Sequence, residues 1–591
     1  MRKEKKADIS SKGISSIQDA LEDIDFKVKD SPSEKKFDIR DIFWNYPIFL
    51  KTLYKKLIPL SYIIIFGLLV FLFVMFLQSD TVKQKFARNI KKDTFVEGVV
   101  GSVNTLNPLF VTNNYIERSI RSLVFENFIY TDKNGEPSPG VAKSWEIKEK
   151  GLVYDFVIDD TSYWHDGTKL TVDDVLFTFN TAIALSEKES FDSVGSAFSN
   201  VEVEKFDERT IRFKTKEANP LFFRAVSIAI IPKSKLEEVS VSKIAFDPFS
   251  KKPMGSGKYE LVKIDTGSVV LRDNKYDKYN PEIKEIVFKI YPDSKALENA
   301  FRIGDLDAIG SWDREASKYT EEYSGYEKHL LHITDRERII FLNTRKDSLK
   351  DKKVRVVLST LLNKDDLIEE YNIGGDILKG PIPEDSWFYN RDIEYLSYNP
   401  KKAEEILNSL HYKRNENSGY YEDPDGNIFS FSITYFENDS NNRLVSLLVD
   451  YYAKEGVFIK PVGMSYEQIT QEAISTRNFE MLLYEVETST DPDQYNLWHS
   501  LKINYPDLNL SGYEYERVDI LLEEGRQSNN KNTRKQKYDL FQKYLVADAP
   551  AIFLYTPIFE YITKSNIEGL DLESINHAYD RFHNIEEWTW K

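Results

Sequence analysis

The apolar segment from Leu57 to Leu77 constrains the fold of this chain more than any other feature. It has 21 residues, none of them charged, and 16 of them are Leu, Ile, Val or Phe. A helix of that length spans about 30 Å, which is the thickness of the hydrocarbon core of a bilayer. We therefore predict a single transmembrane helix over residues 57–77.

The flanks of this segment predict an uncleaved anchor. The 56 residues before it are too many for the start of a signal peptide, and no small-residue cleavage site follows it. Residues 1–56 contain 13 basic residues, which favours a cytoplasmic N-terminus. We predict a cytoplasmic polar tail (1–56), the helix (57–77) and a stalk (78–93), with the main body on the extracytoplasmic side of the cell membrane.

The body after the stalk is strongly acidic. The whole chain has a net charge of −17. The tail and the stalk are each +3, so residues 94–591 have a net charge of −23. This charge repels nucleic acid and anionic lipid, and we expect no nucleic-acid partner. The 591-residue chain contains no cysteine, which excludes disulfides, thiolate chemistry and lipid attachment at an N-terminal cysteine.

Catalytic and metal-binding motifs are weak or missing. Only His329 and His332, of seven histidines, are close in sequence, and residues three apart on a strand face opposite ways. Motifs for zinc proteases, serine hydrolases and phosphate loops are absent. Glu485 and Glu487 have a spacing compatible with the paired carboxylates of a glycosidase, but no other feature supports that activity. We predict no enzymatic activity, no cofactor and no metal site.

The segment from Tyr163 to Phe179, "YWHDGTKLTVDDVLFTF", raises a separate question, because His beside Asp is common in active sites. Asp166-Gly167 has the chemistry of a tight turn, in which Gly supplies a positive φ and Asp accepts from the backbone. Thr171 followed by Asp173 and Asp174 is typical of a helix N-terminus. We therefore interpret His165 as a structural turn residue.

From residue 94 onward, strand-like alternation and helical spacing are interleaved, so we predict an α/β body with more than one core. Six segments, in this order, resemble the family 5 extracellular solute-binding proteins, the dipeptide, oligopeptide and nickel receptors of ABC importers. They are "SVNTLNPLF", "GEPSPGVAKSWEIKEKGLVYDFVI", "YWHDGTKLTVDDVLFTF", "PMGSGKYELV", "IIFLNTRKDSLKDKKVRVVLSTLLNKDDLI" and "ADAPAIFLY". Lys258 and Phe553 stand where the family usually has Pro, which affects local geometry.

The resemblance implies a two-lobed, periplasmic-binding-protein-like body of the type II, three-part kind. Lobe I would comprise residues 94–130, 246–335 and 557–591, a small domain (131–245) would be inserted in it, and lobe II would be 336–556. A solute would bind between the lobes and favour their closure, and the closed form would dock on ABC permease subunits. We expect a monomer.

The resemblance also implies where the ligand binds. The family's cleft strand corresponds to Tyr484, Glu485, Val486 and Glu487, which would pair with a peptide backbone as an added strand does. Peptide-binding members usually carry an aspartate three residues before an acidic-Pro pair, where it holds the peptide's amine.

Thr488 occupies that aspartate position in this chain, and a hydroxyl cannot supply a charge-assisted bond. Glu487 or Asp491 is the expected replacement.

Five further residues complete the predicted ligand site. Family position places Thr112 and Asn114 on the opposite lobe, facing the cleft. Tyr495, Trp498 and Tyr555 are candidate aromatic walls, although core packing is the alternative for each.

A peptide, neutral to cationic, is the favoured solute. A sugar or a metal complex remains an alternative, as do a sensor that signals through its membrane span and a chaperone-like or adhesive use of the cleft.

Overall fold

The structure is a computed structural model, and all of its described residues belong to one compact unit, Gln84–Lys591. It describes residues 93–591 except 133–135, 187–193, 195–197, 199, 217–218, 220, 313–324, 334, 370–373, 489–490, 492, 529, 574 and 576. The predicted tail, the predicted transmembrane helix (57–77) and nearly all of the stalk lie outside the described residues. Within the described ranges, no helix is long and apolar enough to cross a bilayer.

A seven-stranded mixed sheet is built from both ends of the described chain. Its central strand, Thr94–Val100, pairs in parallel with Glu285–Tyr291 and with Ala308–Ser311. Ala308–Ser311 then pairs antiparallel with Phe559–Lys564, close to the C-terminus. The strand order is Tyr326–Leu331, Phe559–Lys564, Ala308–Ser311, Thr94–Val100, Glu285–Tyr291, Ser268–Asp273 and Tyr259–Ile264.

A four-stranded antiparallel sheet lies between two strands of the larger sheet in sequence. Its order is Ala142–Lys148, Val153–Ile158, Thr210–Thr215 and Val201–Lys205. Phe128, Phe156, Phe179 and Phe213 pack ring to ring at its centre. These rings belong to the same apolar cluster as Phe95 of the seven-stranded sheet, so the two sheets share one continuous core.

A six-stranded mixed sheet is covered on both faces. Its strand Arg336–Leu342 buries Ile340 and Leu342 in one apolar cluster, and Ile339 and Phe341 in another. This two-sided burial explains the unbroken apolar run at the end of the strand. The strand order is Gly375–Ile377, Ala551–Pro557, Arg336–Leu342, Met481–Glu487, Ser430–Phe436 and Phe458–Met464.

Helices and short pairings complete the body. Two-stranded sheets pair Ile129–Thr131 with Pro137–Pro139, Lys413–Arg414 with Tyr421–Glu422, and Ile567–Glu568 with Thr589–Trp590. The α-helices are Tyr115–Val124, Val172–Ser186, Phe222–Val226, Lys233–Leu236, Ser294–Arg302, Lys352–Thr360, Lys364–Glu369, Pro400–Ser409, Asp439–Lys454, Tyr466–Gln468, Tyr495–Trp498, Glu516–Gln527 and Lys531–Asp548. Ile469–Ile474 is a π-helix, and 3₁₀ turns cover Val241–Phe246, Pro248–Ser250, Ser500–Lys502, Ala578–Phe582 and Ile585–Glu587.

The segment around His165 has the predicted turn. Gly167 has a φ of +82°, and Asp166 accepts from the Thr168 amide at 3.0 Å, just before helix Val172–Ser186. The His165 Nε2–H donates to the Gly257 carbonyl at 3.0 Å, and Nδ1 accepts from the Gly255 amide at 3.3 Å. Burial lowers the pKa of His165 to about 4, which keeps the imidazole neutral for both bonds.

The loop that His165 holds must contain glycine. A Cβ on Gly255 would lie 1.8 Å from the Val124 carbonyl oxygen, and one on Gly257 would lie 2.5 Å from the Leu123 carbonyl oxygen. His165 and Gly255 are 90 positions apart in sequence, so their hydrogen bond holds two distant segments of the scaffold together.

Candidate functional site

Strand Met481–Glu487 is paired along its whole length on one side only. Its antiparallel pairing with Arg336–Leu342 runs from Met481 to Glu487. Its parallel pairing with Ser430–Phe436 covers Met481 to Leu483. The predicted ligand strand, Tyr484 to Glu487, therefore extends past its second neighbour. The outer edge of those residues can accept the backbone of an extended ligand.

Arginines hold both glutamates of this strand. Glu485 pairs with Arg336 at 2.6 Å and with Arg338 at 3.0 Å. Burial disfavours its ionised form, but the two guanidinium charges outweigh burial and lower the pKa of Glu485. Glu487 forms a two-pronged pair with Arg118, in which Nη2 donates to Oε2 at 2.9 Å and Nη1 to Oε1.

The Arg118–Glu487 pair joins the two large sheets. Arg118 lies on helix Tyr115–Val124, which packs with the seven-stranded sheet, whereas Glu487 ends a strand of the six-stranded sheet. Arg118 also donates to the Thr112 carbonyl at 2.5 Å and lies over the ring of Tyr579. It therefore connects the predicted ligand strand to the opposite lobe.

The aspartates after the strand are also paired. Arg534 donates to both carboxyl oxygens of Asp491 at 2.7 Å, and Arg526 forms a similar fork on Asp493. A ligand amine at Glu487 or Asp491 would have to displace an arginine. The prediction that one of them holds a peptide amine is untested, and these pairs weigh against it.

Three possible metal ligands meet near the crossing between the lobes. Asp335, Glu487 and His577 each offer one ligand atom, and these atoms lie within 4.8 Å of one another. The His577 imidazole is 2.6 Å from Asp335. Burial acts to lower its pKa, but the hydrogen bond with Asp335 and the nearby acidic charges outweigh burial and raise it. His577 on Asp335 and Arg118 on Glu487 are thus the basic side chains that contact these two carboxyl groups.

Thr112 and Asn114, the ligand residues predicted for lobe I, form hydrogen bonds that stabilise the loop in which they lie. The Thr112 hydroxyl donates to Glu117 at 2.6 Å and accepts from the Asn114 amide at 3.1 Å. Asn114 caps helix Tyr115–Val124 by accepting from the Ile116 amide, and its amide nitrogen donates to the Ser102 carbonyl at 2.6 Å. Both side chains are half-buried, so a ligand role would add to this structural one.

The aromatic candidates and Val486 lie mainly in the core. Trp498 is fully buried, packs against Phe341 and Phe553, and donates its indole N–H to Gln494. In this arrangement Trp498 has no exposed surface, which favours the alternative of core packing over a ligand wall. Tyr555 and Val486 are buried as well. Tyr484 is half-buried, and Tyr495 is half-buried between His499 and Arg526.

Thr488 lies beside a carboxyl group that sequence reasoning missed. Its amide donates to the Asp335 carbonyl at 2.8 Å, which continues the ladder of Arg336–Leu342 by one pair. Glu337, paired with Val486, is fully buried. Burial raises the pKa of Glu337 well above its usual value, and a hydrogen-bonding effect of Thr488 opposes that rise. The one sequence signal was an Arg-Glu-Arg triplet opening an otherwise apolar strand.

Two sheets with separate cores, joined by chain crossings after Leu331 and after Pro557, define a two-lobed binding protein of mixed α/β structure. The chain belongs to the bacterial extracellular solute-binding proteins, family 5. The model described as "Bacterial extracellular solute-binding proteins, family 5 Middle" matches residues 136–504. The resemblance seen in the sequence is thereby confirmed.

Relatives and solved structures agree over most of the chain. The oligopeptide-binding protein AppA of Bacillus subtilis is 26% identical over 83% of this chain and 91% of its own length. The dipeptide-binding protein of Escherichia coli is 24% identical over 84% of this chain and 95% of its own. NikZ of Campylobacter jejuni, solved with Ni(L-His), superposes with a TM-score of 0.72 at 25% identity, covering 85% of this chain and all of NikZ. Proteins of this family are transport receptors rather than enzymes.

Proposed function

We propose that this protein is a membrane-anchored extracytoplasmic receptor that captures short peptides between its lobes and delivers them to an ABC importer. The observation that carries the peptide assignment is the open edge of Tyr484–Glu487, beyond the end of pairing at Leu483. A peptide laid there as an added strand gains main-chain hydrogen bonds whatever its side chains are. Family membership and the peptide-binding relatives support the same assignment.

Closure is the proposed working motion. Lobe I (94–130, 246–335 and 557–591), its inserted domain (131–245) and lobe II (336–556) are the proposed parts. A solute that contacts both lobes only when they are closed favours the closed state by that difference in contact energy. The Arg118–Glu487 pair crosses between the lobes beside the open edge, so it is placed to stabilise the closed form.

The ligand assignment is tested by native mass spectrometry of the full chain, purified with whatever solute it retains. We expect added mass that dissociates as peptides of two to several residues. Added mass from a sugar or a metal chelate would contradict the peptide assignment but leave the solute-receptor assignment intact.

The anchor is proposed from residues 57–77 alone. With the N-terminus cytoplasmic, protease added to intact cells should digest the body and spare an epitope placed in residues 1–56. Digestion of that epitope would reverse the proposed orientation.

A metal–amino-acid complex is the second candidate solute. The cluster of Asp335, Glu487 and His577 favours it, as does the likeness to NikZ. In the mass spectrum such a complex would be recognised by the isotope pattern of its metal, and its signal would disappear after chelation.

A further inference from the structure

Glu337 is an unusual carboxyl group. Its side chain has no exposed surface, its oxygens make no hydrogen bond of standard geometry with a described residue, and Thr488 is the one side chain with a hydrogen-bonding effect on its pKa. The residues on either side of it in the strand, Arg336 and Arg338, do have partners, because both form ion pairs with Glu485. A buried carboxyl group without a counter-charge is unfavourable, so such a group requires an explanation.

The strand register surrounds Glu337 with two further acceptors. Arg336 lies opposite Glu487 and Glu337 opposite Val486, and the Thr488–Asp335 bond extends the same ladder. Residues two apart on a strand share a face, so Asp335, Glu337 and Thr488 lie on one face as direct or diagonal neighbours. Asp335 has one oxygen on His577, while its Oδ1 is buried without a hydrogen-bond partner among the described residues.

This set of acceptors matches an ammonium group. A primary ammonium carries three N–H donors and one positive charge. Glu337 supplies a carboxyl that no described arginine or lysine neutralises, and Asp335 Oδ1 and the Thr488 hydroxyl supply further acceptors. The other carboxyls of this region, on Glu485, Glu487, Asp491 and Asp493, already have arginine partners.

We propose that Glu337, assisted by Asp335 Oδ1 and the Thr488 hydroxyl, binds a primary ammonium group of the captured solute. The proposal rests on the proposed function and narrows it to amine-bearing solutes. The amine is either the N-terminus of a peptide or the end of a lysine side chain, since both have the same chemistry. In this assignment the amine binds a buried carboxyl on the neighbouring strand rather than Glu487 or Asp491.

The experiment measures thermal shifts and calorimetric binding with the full chain at pH 7.5. Three probe sets are compared: an equimolar mixture of di- to hexa-alanine, the same peptides N-acetylated, and N-acetylated peptides ending in lysine. The variant Glu337→Gln removes the charge and keeps the shape. Glu208→Gln, at a side chain that is 89% exposed, is the control for loss of one negative charge.

We expect wild type and Glu208→Gln to bind amine-bearing peptides about 10- to 150-fold more tightly than amine-free ones, the factor that a charge-assisted bond confers. The alanine and lysine sets tell the two amine sources apart. Glu337→Gln should abolish the preference. If Glu337→Gln fails to fold, Thr488→Val should reduce the preference instead, and an unchanged preference there overturns the proposal.

The remaining outcomes separate this proposal from the proposed function. Equal binding of free and acetylated peptides, or a preference that survives Glu337→Gln, overturns the ammonium site and leaves the peptide receptor standing. If no peptide set binds wild type, the peptide assignment fails. The ammonium site is then tested separately with cadaverine, a diamine that carries no peptide bond. Stabilisation of wild type but not of Glu337→Gln supports the ammonium site, and no stabilisation overturns it.

Discussion

Among the residues that the structure describes, two glutamates have no exposed surface, one in each large sheet, and their surroundings are opposite. Glu97, on Thr94–Val100, receives Arg581 at 2.5 Å and the Tyr561 hydroxyl at 3.0 Å. Glu337, on Arg336–Leu342, has no ion-pair partner in the described part of the chain. Arg581 is fully buried too, so the first carboxyl belongs to a closed internal pair. Depth therefore does not distinguish the two carboxyl groups, whereas their partners do.

The same substitution at both positions tests this comparison most severely. Glu97→Gln leaves the Arg581 guanidinium buried without a counter-charge and should lower the free energy of unfolding by about 3–5 kcal/mol. Glu337→Gln abandons no cation and should change it by less than about 1 kcal/mol. Urea denaturation of the full chain, followed by circular dichroism, measures both. Similar losses at the two sites would remove the distinction.

A double-mutant cycle on Arg118 and Glu487 extends the comparison to the boundary between the lobes. Because these side chains are 18% and 25% exposed, their coupling should be about 1–2 kcal/mol, less than that of a fully buried pair. The variants are Arg118→Met and Glu487→Gln, measured by thermal unfolding.

The control cycle uses Lys591 and Glu568, a pair at the surface. These side chains are 73% and 55% exposed, and their coupling should stay below about 0.5 kcal/mol. Equal coupling in both cycles would mean that the inter-lobe pair is fully screened by solvent.

His165 supplies the smallest effect and a third kind of buried group, a titratable side chain that burial itself keeps neutral. Its folded pKa of about 4 lies below the usual 6.5, so between these values only the unfolded chain takes up a proton. Stability is therefore lost as the pH falls, by about 1 kcal/mol between pH 6.5 and 5.5. His165→Gln should remove that part of the pH dependence. An identical slope in the variant would contradict the assigned neutral state.

Local chemistry made the scaffold predictable, and distance along the chain made the site less so. The turn at Asp166-Gly167 and the start of helix Val172–Ser186 depend on neighbours within a few residues, which the sequence displays directly. Arg118 meets Glu487 across 369 positions, and no local pattern indicates that contact. The burial of Trp498 was also unpredictable, because a wall and a core position require the same apolar surface.

Position 488, which has threonine instead of an acid, shows a further limit of predicting a site from a sequence motif. A motif compares residues at one position, whereas an antiparallel ladder makes neighbours of residues on different strands. Glu337 and Thr488 are 151 positions apart in sequence, yet the register makes them diagonal neighbours. In the proposed ammonium site, the acidic residue lies on a neighbouring strand, where a comparison at position 488 alone cannot find it.

The seven-stranded sheet also determines the order in which the chain can complete its folding. Thr94–Val100 emerges early during synthesis, but Phe559–Lys564, which closes the far side of Ala308–Ser311, emerges near the end. The six-stranded sheet likewise waits for a late strand, Ala551–Pro557. During synthesis the first lobe thus has an open strand edge, a surface prone to pairing with other chains.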